Sequence, residues 1–211
     1  MNNSHLRSYI EKLLGEHHLI EEARAKLLRL VSDLIVESII DTGVCSLITI
    51  CTHNSRRSQL SEAWIKAGAQ YFDLGMIEAY SGGTEATAFN LRMVVALRQS
   101  SFHLHTDGPK NNPFYTLQAL QEEKSPHIMF SKVYDHPRNP REDFIALMVC
   151  NHADEACPIV SGASHRISLP YLDPKEYDDT PMEDQMYKEK VDEIGREMLY
   201  LLHHVSKNIE A

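Results

Sequence analysis

The sequence predicts a single α/β domain built on a four-stranded parallel sheet, with a helical extension at its N-terminus. Short apolar segments rich in β-branched residues alternate with longer segments of helical periodicity. That order is typical of a parallel sheet covered by helices on both faces. The chain has 211 residues, of which 43% are hydrophobic, enough for one domain with a substantial core.

The first 43 residues form the predicted extension. Apolar residues recur at helical spacing through residues 5–42, and Gly43 is a typical helix stop. We expect a helical hairpin that packs on the main domain, and such an element can also join two chains in a homodimer. The segment contains no motif that points to chemistry.

The main domain, residues 44–211, shows the alternation of strands and helices. It opens with VCSLITI, a short apolar run that is typical of a buried strand. It closes with a long amphipathic helix. The strands are predicted at residues 44–50, 75–84, 143–150 and 165–172, and the helices at residues 58–72, 91–102 and 182–205.

Residues 106–142 interrupt this alternation and are interpreted as an insertion near the site. The turn-rich segments TDGPKNNP and YDHPRNPRED bound it. Between them, FYTLQALQ and HIMFSKVY are predicted to pair as a hairpin.

Composition excludes several classes of protein. The net charge of -9 and the pI near 5.7 argue against a nucleic-acid-binding protein. No apolar stretch reaches the roughly 18–20 residues that a membrane span requires, and the N-terminus lacks an apolar signal core, so a cytoplasmic protein is expected. The histidine pairs show no recognised zinc spacing, and no metal site is predicted.

Residues 51–58, which we call the anion loop, join the first predicted strand to the next helix. Cys51 ends the strand, and the positive end of the helix dipole favours its thiolate, the nucleophilic form. Arg57 offers a planar fork for a tetrahedral oxyanion, Ser58 can donate to the sulfur, and Asn54 suits a tight turn. The predicted oxyanion-binding residues are Thr52, His53, Asn54, Ser55, Arg56, Arg57 and Ser58.

Two further cysteines, Cys150 and Cys157, follow the third predicted strand. In a reducing cytosol they are not expected to form a permanent disulfide. Seven residues apart in a regular helix, they would be separated by ~10 Å, whereas a disulfide needs Cα atoms within ~7 Å. A bridge would require this segment to loop out, which suits a conditional redox role. Two buried core cysteines are the simpler alternative.

The sequence CTHNSRRSQLSEAW resembles the phosphate-binding loop of the low-molecular-weight protein tyrosine phosphatases. It is more similar to that of the thioredoxin-coupled arsenate reductases, which share the fold. Cys51, Asn54, Arg57 and Ser58 occupy the positions of the pattern Cys-x-x-Asn-x-x-Arg-Ser. The turn SGGT, the sequence Cys-x6-Cys-Pro and the pair Asp173–Pro174 also resemble the family. The resemblance covers about residues 44–205, apart from the insertion.

The resemblance to the reductases implies an arsenate reductase with a relay of three thiols. Cys51 would attack arsenate held by the loop and Arg57, while Asp173 helps hydroxide to leave. Cys150 would then form a disulfide with Cys51, and Cys157 would resolve it. Thioredoxin is the implied external reductant, and no bound cofactor is expected.

Two other functions remain open at this point. A phosphatase would hydrolyse phosphomonoesters through a cysteinyl-phosphate on Cys51, with Asp173 as general acid and no need for the other two cysteines. A non-catalytic oxyanion sensor would bind the anion and report it to a partner. The chain also departs from the family pattern: His53 stands where the family often has glycine, and Arg56 stands where a cysteine is common in both branches. Lys175 and Glu176 follow Asp173–Pro174, where phosphotyrosine phosphatases usually have aromatic residues.

Overall fold

The computed structural model describes residues 3–121, 125–157 and 159–209. Its central sheet is parallel and has four strands in the order β2-β1-β6-β7. The strands are β1 (Cys45–Cys51), β2 (Ile77–Gly83), β6 (Phe144–Met148) and β7 (Ala163–Ser168). This is the sheet that the alternation of elements predicts.

Six helices surround or extend the sheet within the described residues. They are α1 (Ser4–Gly15), α2 (Glu22–Thr42), α3 (Arg57–Tyr71), α4 (Leu91–Gln99), α5 (Asn151–Ala156) and α6 (Glu183–Ile209). None of the helices in the described part of the chain has the length and apolar character that a membrane crossing requires.

The N-terminal extension contains the two predicted helices, but they pack on α6 rather than against each other as a hairpin, and they share the core of the main domain. A 3-10 turn at His17–Leu19 separates α1 from α2, and Gly43 ends α2 in the left-handed conformation with a φ of 81°. Both helices pack on α6. Their buried faces are therefore used within one chain, and the homodimer stays a prediction.

Helix α6 approaches α1 and α3 closely at a glycine. A Cβ atom at Gly195 would lie 2.5 Å from the ring of Trp64 and 2.9 Å from Leu13. Trp64, on α3, and Leu13, on α1, are fully buried. The extension thus packs against the helix that begins at the anion loop, through a core that all three helices share.

A second, antiparallel sheet has three strands, β3 (His103–Asp107), β4 (Phe114–Gln118) and β5 (His127–Met129), and begins three residues before the predicted start of the insertion. The predicted hairpin is confirmed by the pairing of β4 with β5. The strand β3 was not predicted, because HLHTD is short and mostly exposed and carries no clear apolar alternation. Residues 122–124 of the insertion lie outside the described residues.

After β5 the insertion returns to the central sheet. Val133 pairs with Gly83 in a parallel bridge, with hydrogen bonds from Gly83 N to Lys132 O and from Tyr134 N to Gly83 O. This contact extends the sheet beyond β2 and brings residues 131–134, which we call the return segment, to the C-terminal edge of the strands.

The ring of His17 links the extension to α6 and should make stability depend on pH. It packs edge-on against Tyr200, and burial, with the nearby His203 and His204, lowers its pKa to about 4. The unfolded chain takes up this proton nearer the ordinary pKa of about 6.5. The contribution of His17 to stability is therefore greatest above pH 6.5 and falls as the pH drops towards 4.

We expect His17→Phe, which keeps a ring against Tyr200 but cannot titrate, to lose less stability between pH 7.5 and 5 than the wild type. The two losses in the free energy of unfolding should differ by about 1 kcal/mol. This is less than the pKa shift alone would give, because the ring keeps some contact with solvent. Urea unfolding at both pH values measures it. His18→Phe, at the exposed neighbouring position, is the control and should keep the wild-type pH dependence. Equal pH dependence in all three proteins would contradict the role of His17.

Candidate active site

The anion loop leaves the C-terminal end of β1 and enters the N-terminus of α3, as the sequence predicts. Parallel strands place ligand-binding residues at this edge of a sheet. Asn54 has a φ of 45°, a left-handed conformation that asparagine tolerates better than most residues. Its side chain is fully buried.

The buried amide of Asn54 connects the insertion to the loop. Its Oδ1 accepts a hydrogen bond from the backbone N–H of Lys132 at 2.9 Å, and its Nδ2 donates to Ser58 Oγ at 2.8 Å. The backbone donor at Lys132 fixes which end of the amide faces which way. Gln59 Nε2 also donates to Asn54 Oδ1, at 3.1 Å.

Ser58 connects Asn54 to the cysteine by a hydrogen bond. Its Oγ lies 3.0 Å from Cys51 Sγ, and both residues are buried. Because Ser58 Oγ already accepts a hydrogen bond from Asn54, its own hydroxyl hydrogen is left for the sulfur. The hydroxyl of Ser58 is therefore oriented by Asn54 towards the sulfur of Cys51.

The loop also holds donors that could bind an anion. The backbone N–H groups of residues 53–57 donate to no acceptor in residues 3–121, 125–157 and 159–209. The buried Nε of Arg57 likewise has no partner in that part of the chain. Unsatisfied donors at a helix N-terminus are typical of an oxyanion site.

Arg57 and Asp173 meet across the loop. One guanidinium nitrogen, Nη2, donates to Asp173 Oδ2 at 2.7 Å, and the other, Nη1, donates to the backbone O of Tyr171 at 2.9 Å. Asp173 also caps the 3-10 turn Pro174–Tyr177 by accepting from Lys175 N. The structure therefore brings Cys51, Arg57 and Asp173 to one edge of the sheet.

Three other loop side chains are engaged outside the loop. His53 is about half exposed, with its Nε2 3.8 Å from Glu85, and Ser55 Oγ donates to Ala88 O. Arg56 donates to Asp178 Oδ2 at 2.9 Å and to the hydroxyl of Tyr187 at 2.8 Å. For these residues the backbone N–H, rather than the side chain, is the group left for an oxyanion.

The second cysteine lies beside the loop. In the register of the sheet, Ile50 is paired with Met148, so Cys51 and Cys150 leave neighbouring strands at the same edge. Thr52 Oγ1 is 3.5 Å from Cys150 Sγ and 3.4 Å from His152 Nδ1. Cys150 is fully buried and is free of any disulfide.

Cys157 lies at the other end of α5 and is partly exposed. Cys150 caps the N-terminus of this six-residue helix and Cys157 its C-terminus, so the two thiols are held apart. Arg166 of β7 holds that end of α5 by donating to Cys157 O at 3.0 Å and to Asp154 Oδ1 at 2.6 Å. Pro158, part of the family-like sequence, lies outside the described residues.

The return segment supplies functional contacts that the sequence analysis missed. Ser131 Oγ donates to the backbone O of His53 at 2.8 Å, and Lys132 N binds Asn54 as described above. HIMFSKVY carries an alternating strand pattern, which predicts the hairpin but gives no sign of contacts with residues about 78 positions away.

A buried carboxylate, Glu62, interacts electrostatically with Lys132 of the return segment. It lies next to His127, with 3.0 Å between Oε1 and Nε2, and accepts from the hydroxyl of Ser81. Burial alone would raise the pKa of Glu62, but the Lys132 ammonium and His127 outweigh it and hold that pKa below its ordinary value. Lys132 thus neutralises a buried charge while its backbone orients Asn54.

Comparison with known proteins gives a consistent result. No family model matches the chain. An arsenate reductase of Bacillus cereus (strain Q1) is 29% identical over 125 residues, which span 59% of this chain and 73% of that protein.

Two solved structures show the same fold. A low-molecular-weight phosphotyrosine phosphatase from Vibrio cholerae O395 has a TM-score of 0.50 and 13% identity, covering 75% of this chain and 95% of that one. A mutant of YwlE from Bacillus subtilis has a TM-score of 0.50 and 16% identity, covering 79% and 99%. The chain is therefore similar in sequence to an arsenate reductase, which supports the prediction that it is an enzyme, and it has the fold of the low-molecular-weight tyrosine phosphatases.

The close approach of Gly83 to the loop gives a direct test of this geometry. A Cβ atom there would lie 2.3 Å from Glu85 O, 2.7 Å from Thr52 O and 2.8 Å from Asn54 N, all backbone atoms. We expect Gly83→Ala to cost about 1–3 kcal/mol in the free energy of unfolding, because the loop must shift. Inorganic phosphate should then no longer protect Cys51 from iodoacetamide.

The matched control is Gly75→Ala, since a Cβ atom at Gly75 meets nothing within 4 Å. It should change stability by less than about 0.5 kcal/mol and leave the phosphate protection intact. Labelling of the Cys51 peptide, followed by mass spectrometry, and urea unfolding measure both effects. Full protection in Gly83→Ala would show that the loop does not depend on this contact.

Proposed function

We propose that the protein is an arsenate reductase that works through a relay of thiols. The observation that carries the proposal is the position of Cys150, whose sulfur lies 3.5 Å from the hydroxyl of Thr52, the residue next to Cys51. A phosphatase needs one nucleophilic cysteine, whereas a reductase of this kind needs a second thiol beside the first. The similarity to the Bacillus cereus arsenate reductase supports the same choice.

The first step forms a bond between Cys51 and arsenic. Arsenate is held by the free N–H groups of the anion loop and by Arg57. The Cys51 thiolate attacks arsenic, and a hydroxyl group leaves as water after taking a proton from Asp173. The negative oxygens are stabilised by donors that are already oriented, which is the most effective form of electrostatic catalysis.

The second step reduces the arsenic. The Cys150 thiolate attacks the sulfur of Cys51, and a disulfide forms as the sulfur–arsenic bond breaks. The electron pair of that bond stays on arsenic, which changes from As(V) to As(III) and leaves as arsenite. The two sulfurs together lose two electrons.

The third step regenerates Cys51. The Cys157 thiolate attacks Cys150, forms a new disulfide and releases the Cys51 thiolate. Because the two cysteines cap opposite ends of α5, this helix must unwind for the bridge to form. A helix of six residues has little intrinsic stability to lose. Its attachment to Arg166 is the contact that must open.

A dithiol must then reduce the disulfide between Cys150 and Cys157, and we propose thioredoxin for this role. Cys157 and its neighbour Ile159, which is 81% exposed, place the end of the disulfide segment at the surface, where a protein reductant can reach it. The relay requires thiols that are kept reduced, which places the enzyme in the cytoplasm.

A phosphatase is the second candidate: it shares the contact between Asp173 and Arg57 with the reductase, and the exposed Leu172 beside Asp173 is the feature that favours it. That contact sets a carboxyl group where it could protonate a leaving oxygen, as a phosphatase requires. The exposed Leu172 and the partly buried Tyr177 are the apolar side chains near Asp173 that could contact an organic substituent. This function would use neither Cys150 nor Cys157.

The relay predicts distinct results for each cysteine. With thioredoxin, thioredoxin reductase and NADPH, the wild type should oxidise NADPH when arsenate is added. Cys51→Ser, Cys150→Ser and Cys157→Ser should each lower this rate at least about 100-fold, since each removes a sulfur that forms a bond. The control is Cys45→Ser, at a buried cysteine on the opposite edge of the sheet, which should keep nearly full activity.

The same variants separate the two candidates. Hydrolysis of an aryl phosphate at the full rate by Cys150→Ser, together with no arsenate-dependent oxidation by the wild type, would establish the phosphatase and refute the reductase. Normal arsenate turnover by Cys157→Ser would refute the third step alone.

A further inference from the structure

We propose that Arg24, on helix α2 of the N-terminal extension, is a positioning residue for the active site. It holds the segment Leu169–Asp173, which carries the proposed acid and accepts a hydrogen bond from Arg57. This inference rests on the proposed function only in taking Arg57 and Asp173 as the groups that handle the oxyanion. The extension lies outside the part of the chain that resembles the family.

Arg24 makes three contacts at the base of this segment. Its Nε donates to Glu197 Oε2 at 2.8 Å, and its Nη2 donates to Leu169 O at 3.4 Å. Its guanidinium carbon lies 4.6 Å from the centre of the Tyr171 ring, in a cation–π arrangement. A planar guanidinium can make all three contacts together, which an ammonium group cannot.

Tyr171 carries the effect to the site. Its hydroxyl donates to Glu197 Oε2 at 2.6 Å, and its backbone N–H donates to Val149 O at 3.2 Å. Its backbone O accepts from Arg57 Nη1 at 2.9 Å. Arg24 and Glu197 therefore fix the side chain of Tyr171, while its backbone oxygen orients Arg57 of the anion loop. Tyr171 itself lies two residues before Asp173 in the chain.

The charges in this contact depend on one another. Tyr171 is 5% exposed and Glu197 is 7% exposed, and burial raises the pKa of Glu197 although Arg24 and Tyr171 oppose it. Without Arg24, a buried carboxylate would lose its cation and would have to take up a proton or draw in water. Either change moves the hydroxyl of Tyr171, and small displacements of catalytic groups are costly in rate.

A second arginine of α2 provides the matched control. Arg29 donates to the hydroxyl of Tyr200 at 2.6 Å and pairs with Glu22. It therefore also joins α2 to α6 through a tyrosine hydroxyl, but none of its hydrogen bonds within the described residues reaches the segment Leu169–Asp173. If Arg24 only joined α2 to α6, its replacement would leave anion affinity and kcat as unchanged as the replacement of Arg29.

The test compares Arg24→Met, Arg24→Lys and Arg29→Met in the full chain. For each protein, the concentration of inorganic phosphate, an anion that the thiols cannot reduce, that protects Cys51 from iodoacetamide gives the affinity, and arsenate-dependent NADPH oxidation gives kcat and KM. We expect Arg24→Met to weaken protection about fivefold and to lower kcat about tenfold. Arg24→Lys should recover part of both, and Arg29→Met should match the wild type in both.

Thermal melting of the same proteins checks their folding. If Arg24→Met does not fold, Tyr171→Phe, which removes only the hydroxyl that binds Glu197, is measured in its place and should show the same direction of change. Affinity and kcat in the Arg24 variant equal to those of Arg29→Met would overturn the inference.

The failure of the proposed function gives a different pattern. A wild type that phosphate protects but that does not turn over arsenate would refute the reductase, while the affinity comparison would still test Arg24. A wild type that neither arsenate nor phosphate protects would refute the oxyanion site itself, and with it the role of Arg24.

Discussion

The buried amide of Asn54 is the interaction on which the rest of the site depends. Asn54 turns the chain at a φ of 45°, receives the N–H of Lys132 and donates to Ser58, whose hydroxyl faces Cys51. A buried amide that loses a partner costs more than the bond itself, because no water replaces it. Asn54, Ser58 and Cys51 therefore form one hydrogen-bonded unit, in which a change at one residue alters the hydrogen bonds of the others.

Two peripheral parts of the chain contact the anion loop, one directly and one through Tyr171. The insertion reaches it through Ser131 and Lys132, and the N-terminal extension reaches it through Arg24 and Tyr171. Each supplies a cation to a buried carboxylate on a helix of the main domain: Lys132 of the insertion to Glu62 on α3, and Arg24 of the extension to Glu197 on α6. Segments added to a common fold can thus contribute to orienting its catalytic groups, which separates them from simple packing elements.

The sequence predicted the parts of the structure that depend on local pattern. The four strands, the hairpin of the insertion, the turn at Asn54 and the contact between Ser58 and Cys51 all follow from residue types at short spacing. Contacts between distant segments could not be predicted in this way. Arg24 meets Glu197 across 173 positions, and Arg56, predicted to bind the oxyanion, meets Asp178 across 122. Only the packing of complete elements determines such pairs, and periodicity carries no information about it.

The central claim is that arsenic is reduced by the sulfurs of this chain, and a single turnover tests it most directly. Cys157→Ser, fully reduced and freed of other thiols, is mixed with excess arsenate, quenched with acid and digested for mass spectrometry. The account predicts one equivalent of arsenite for each chain and a disulfide between Cys51 and Cys150, because the relay stops there. Unreacted thiols without arsenite would contradict it, as would arsenite formed with a disulfide that leaves out Cys51.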